Sequence, residues 1–144
     1  MKKIMSLFTI IFILNACSSK KNVSNQDTEI LYEVLFQSHY LGSEIKFYEL
    51  VTEPKEVKML IGMEELKGKI KESDIETSNF MILNMGMKST GGYDITVESV
   101  EETPNSIIVK VKETSPKMGE NVTMAISYPM CIVKINSKKQ IVIQ

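Results

Sequence analysis

Few residues in this 144-residue chain could do chemistry, because it holds one histidine, two cysteines, no tryptophan and no arginine. His39 lies in a polar stretch beside Tyr40 and reads as an exposed loop residue. Cys131 sits in Met130-Cys131-Ile132-Val133 and reads as a buried strand cysteine. A reactive thiol would want a basic neighbour to lower its pKa. The acid pairs Glu64-Glu65 and Glu101-Glu102 read as solvated charge, since adjacent residues on a strand face opposite ways. One histidine and one free thiol cannot build a nitrogen or sulfur metal site. Gly86-Met87-Lys88-Ser89-Thr90-Gly91-Gly92 has the glycine spacing of a phosphate loop, but no lysine follows the second glycine. A strand follows instead of a helix, so no helix N-terminus is offered to phosphate. Neither G-x-S-x-G nor H-E-x-x-H occurs. With no nucleophile, base and orienting group to assemble, the expectation is a non-enzymatic protein without a cofactor. The formal charge of -1 and the missing arginines argue against nucleic acid, which calls for a basic excess.

The amino terminus reads as an address. Met1-Lys2-Lys3 is a short positive region, and Ile4 to Leu14 is an apolar run too short to span a bilayer. Leu14-Asn15-Ala16-Cys17 follows and closely resembles the bacterial lipobox, in which cleavage precedes a cysteine that carries a diacylglycerol. Asn15 departs from the usual small middle residue. The expectation is a signal peptide over residues 1–16, a lipid (palmitate-type acyl chains) on Cys17, and a flexible polar tether over 17–28. Cleavage would remove two lysines and take the formal charge from -1 to -3. More than one acyl chain on one residue gives stable anchoring. The implied location is the cell envelope, with the outer membrane favoured in a cell with two membranes.

Residues 29–144 read as one β-rich domain, of a length suited to a single core. Strand patterns occupy Ile30–Phe36, Ile45–Val51, Phe80–Met85, Tyr93–Glu98, Ile107–Lys112, Val122–Tyr128, Cys131–Ile135 and Ile141–Ile143. Thr52-Glu53-Pro54 reads as a helix start with Thr52 as cap. Gly68 to Thr77 is charged and weakly patterned. About eight strands at this spacing, with one helix, predict a mainly β (α+β) fold: an antiparallel β-sandwich or partly closed barrel.

The most distinctive segment is Ser89-Thr90-Gly91-Gly92-Tyr93 at the mouth of a clean strand. With Lys88 it forms the candidate interaction loop: Lys88, Ser89, Thr90, Gly91, Gly92 and Tyr93. The succession from Phe80 through this loop, then Pro116-Lys117-Met118-Gly119, Val122-Thr123 and Tyr128-Pro129, resembles the C-terminal domain of the protease complex subunit PrcB family over about residues 80–135. That resemblance implies a lipoprotein that is an accessory, non-catalytic subunit of a surface or periplasmic protease, or partner to another envelope protein. The same loop is similar to the threonine–glycine–tyrosine loop of chagasin-type cysteine-protease inhibitors. Their tryptophan-bearing and arginine–proline loops have no counterpart here. The reading is therefore a membrane-anchored interaction module. An inhibitor is its alternative, and a small-ligand-binding lipoprotein is a more distant one. Cys17→Ser should stall or release the precursor, and detergent phase partitioning checks this. A substituted protein that still partitions fully with membrane overturns the anchoring.

Overall fold

Phe80-Met81-Ile82-Leu83 carries no polar residue because the strand it forms is covered on both faces. The computed structural model describes residues 30–144, so the signal peptide, Cys17 and the tether lie outside the described residues. The elements are β1 Tyr32–Ser38, β2 Phe47–Val51, α1 Pro54–Ile61, a 3-10 turn Glu64–Leu66, α2 Asp74–Thr77, β3 Asn79–Asn84, β4 Asp94–Glu102, β5 Ser106–Thr114, β6 Met130–Ile135 and β7 Gln140–Ile143. One sheet has the order β1-β6-β3-β2, the other β4-β5-β7. The first sheet is the middle layer. Met81, Leu83, Cys131, Val133 and Ile135 meet Ile95, Val97, Ile107, Val109 and Ile141 of the second sheet. On the opposite face Phe80, Met130 and Ile132 meet Val57, Leu60, Leu66 and Ile70 of the helical layer. Burying such side chains stabilises by roughly 1.5–3 kcal/mol each.

The fold is the expected mainly β sandwich, without a closed barrel, and it differs from the sequence reading in four places. Among the described residues seven strands form, against the expected eight or so. Val122–Tyr128 is a loop that contributes only the isolated bridge Lys88–Ser127. The β5–β7 pair is parallel, because a crossing through the first sheet brings the chain back alongside β5. The α1 cap is Glu53 rather than Thr52: Glu53 and Glu56 exchange side-chain and backbone bonds in a capping box. The charged stretch before β3 holds the single turn α2.

Leu35 interrupts the β1–β6 register, and the Lys69 ammonium donates to its carbonyl at 2.6 Å. The bulge leaves that carbonyl without a ladder partner, and a side chain supplies one. Cys131 is fully buried between the sheets, and burial pushes its thiol up to about 11.

On the helical face, Lys134 pairs with Asp74 at 3.0 Å, both side chains largely buried. Asp74 also accepts the Lys71 backbone N–H at 2.9 Å. Burial opposes ionisation of Asp74, but these two donors outweigh it and hold the carboxyl below its usual value. A depressed folded pKa gives stability that is complete above the unfolded pKa and lost as pH falls through the folded one. Asp74→Asn should therefore cost about 1–3 kcal/mol at pH 7 by leaving Lys134 without its counter-charge. Below about pH 4 the wild type should lose this advantage and the two thermal-melt curves should converge. A gap that stays constant down to pH 2 would show that the pair does not act as described.

Candidate interaction surface

Asn84 ends β3 and is buried with every polar atom satisfied. Its Oδ1 accepts the Ser43 N–H at 2.9 Å, and its Nδ2 donates to the carbonyls of Ser43 and Ile45. The carboxamide thus pins residues 43–45 to the end of the central strand. Gly42 lies against it: a Cβ there would overlap Asn84 Oδ1 and sit 2.6 Å from the Tyr128 carbonyl oxygen. Only glycine allows this approach. The Gly42 N–H donates to that same carbonyl at 2.9 Å, and Tyr128 N–H donates to the His39 carbonyl at 2.7 Å.

Three connections therefore meet at one end of the sandwich: residues 39–46, 85–93 and 115–129. Met87 N–H donates to Glu44 at 3.0 Å, and Lys88 and Ser127 exchange backbone bonds at 2.8 and 3.0 Å. Ser127, fully buried, donates its hydroxyl to the Thr90 carbonyl at 2.7 Å. Gly91 is buried against Thr123, whose carbonyl accepts its N–H at 2.9 Å. Gly92 has φ +84°, and its missing Cβ makes room for Val122 and Pro116.

The six candidate loop residues are adjacent but not alike. Ser89 and Gly92 are exposed, Lys88 and Thr90 half-buried, Gly91 buried, and Tyr93 partly buried against the inter-sheet core. The loop is clamped by the 115–129 connection and does not project freely. The Lys88 ammonium lies 5.6 Å from the Tyr93 ring centroid, a cation–π arrangement. His39, exposed as expected, turns Nδ1 to the Tyr93 carbonyl at 3.1 Å, and Gln37 Nε2 donates to Asp94 Oδ1 at 2.7 Å. These contacts clasp β1 to the start of β4. Across the sandwich, Lys46 and the Tyr48 hydroxyl both bond Glu113. Burial raises the Glu113 carboxyl, yet the two donors outweigh it and hold it below the usual range. Burial, then the Glu113 bond, pushes the Tyr48 phenol up.

The surface of this end is rich in apolar side chains. Of the twelve exposed large hydrophobic side chains among the described residues, seven lie on the three connections: Tyr40, Leu41, Ile45, Met87, Met118, Met124 and Ile126. Met118 stands at the tip of a turn in which Glu120 N–H returns to the Lys117 carbonyl and Gly119 has φ +81°. That is a type II turn, displaying its second residue to solvent. Concentration of exposed apolar side chains on one end makes it the candidate interaction surface of the described residues. The sequence reading singled out only Lys88 to Tyr93 of it. The alternation of Val122–Tyr128 suggested a buried strand face, whereas Ile126 is exposed and Ser127 is buried. The available signal was Pro116, Gly119 and Pro129 around that alternation, which together favour loop over ladder. Asn84, inside an apolar run, was the other available clue.

Residues 80–136 match the family model described as PrcB C-terminal. The match agrees within one residue with the stretch whose motifs resemble that family. It spans β3 to β6 and two of the three converging connections. No curated protein and no solved structure matches the chain.

Asn84→Ala should cost about 2–3 kcal/mol, because it strips partners from one N–H and two carbonyls. Gly42→Ala should cost a similar amount by overlap. The double variant should cost clearly less than the sum, since removing the carboxamide relieves part of the clash. Denaturant melts measure all three. Simple additivity would show that the carboxamide is not the common support of these loops.

Proposed function

We propose that this protein is a lipid-anchored envelope lipoprotein whose domain is a non-catalytic interaction module, accessory to a surface or periplasmic protease complex. The observation that carries this reading is the rigid apolar end built by three connections, two of them inside the stretch similar to the PrcB C-terminal domain. The Leu14–Cys17 motif supports the anchor. Among the described residues no group of three metal-ligating side chains comes together. His39 is engaged with a backbone carbonyl, and Cys131 is sealed in the core. The space between the sheets is filled by the side chains of the core, which disfavours a ligand cavity there. Binding is the activity this geometry supports best.

The test is co-purification of the anchored protein from solubilised envelopes. A protease should be recovered with it, and Thr90→Ala should weaken recovery several-fold with an unchanged melting temperature. The purified domain should leave papain-type cysteine proteases active. Stoichiometric inhibition of such an enzyme would replace the accessory reading with the inhibitor one. Peptidase activity of the domain itself would remove both.

A further inference from the structure

We propose that the loop end faces away from the membrane and receives a protein segment that sets a carboxylate beside apolar side chains. This rests on the lipid-anchored interaction reading above. The direction follows from where the chain enters. Ile30 is held by the Asn136 side chain, which donates to its carbonyl at 2.6 Å, and Asn136 N–H donates to Leu31 at 2.9 Å. β1 then runs from Tyr32, opposite Ile135, to Ser38, opposite Met130. Its seven residues carry the chain about 20 Å to the loop end. The described chain therefore begins at the end of the first sheet opposite the loops.

Charge also speaks for a protein over a lipid surface. Glu44, Asp94, Glu113 and Glu120 stand among the lysines at this end, and Lys46 is already neutralised by Glu113. A surface for anionic lipid would be dominated by free cations. Lys88 is different. It is half-buried and backed by Tyr93, it helps hold the Glu113 carboxyl down from a distance, and among the described residues it has no carboxylate within 4.0 Å. A partner carboxylate would complete its charge, shielded by the surrounding apolar side chains. Met87, its neighbour in the chain, and Met124, on the connection that bridges to it through Ser127, expose polarizable, adaptable side chains at this end.

The test places a photo-reactive residue at Met124, or at Lys138 near the chain entry, in the full lipidated chain within native envelopes. The expected result is a protein adduct from position 124 and not from 138. Its cross-linked peptide should map to a stretch with an Asp or Glu among apolar residues. Lys88→Glu should reduce that adduct at least tenfold and Lys88→Gln several-fold, while Lys88→Arg retains it, all with wild-type melting temperatures. Lipid adducts at 124, adducts only to a second copy, equal labelling from 138, or indifference to both Lys88→Glu and Lys88→Gln would each overturn the proposal. An adduct of the expected kind with a protein that is not a protease supports this surface and removes the protease assignment. Recovery of a protease with adducts confined to position 138 does the reverse.

Discussion

Everything in this domain depends on covering the four-stranded sheet from both sides. A strand buried on one face alternates, but β3 and β6 are buried on both. Their continuous apolar runs leave no face for water, so a second sheet and a helical layer must both be supplied. Residues between β2 and β3 fold into α1, the 3-10 turn and α2 to cover one side. The β4–β5 hairpin and β7 cover the other. The one charge admitted to the helical face of β6, Lys134, is matched by Asp74. An ion pair in such a place adds little net stability but penalises arrangements that part it.

The same demand shapes the loop end. A chain leaving the middle layer must move to an outer one, and its backbone groups lose their ladder partners as it does so. Asn84 stands where β3 makes that exit and substitutes its carboxamide for the missing ladder. The connection from β5 to β6 makes the reverse crossing in fifteen residues and is held by backbone bonds to Lys88 and Gly91. Loops fixed this firmly can hold apolar side chains in solvent without collapsing onto them. The apolar end thus follows from the layering and from three anchoring residues, Gly42, Asn84 and Ser127.

Much of this was legible in the residues. Alternation placed Ile95, Val97, Ile107 and Val109 on the inward faces of β4 and β5, where they are buried. The short run around Cys131 announced a buried strand. Period alone failed at Val122–Tyr128, because alternation records what a strand would need and says nothing of whether a partner is free. The parallel β5–β7 pair was equally hidden, since strand direction depends on the layer from which the chain returns. Of the candidate surface, paired glycines gave away one loop. The other two became visible only when contacts between residues far apart in sequence brought them to it.

The pairing of β1 with β6 has a consequence for time rather than shape. Tyr32 faces Ile135, and β5 finds its parallel mate only at Gln140. Neither sheet can close until almost the whole described chain has been made. Closing such long intervals of chain makes folding slow compared with a bundle of local helices. A nascent chain of this topology can pair β2 with β3 and β4 with β5 early, but its first strand waits for β6.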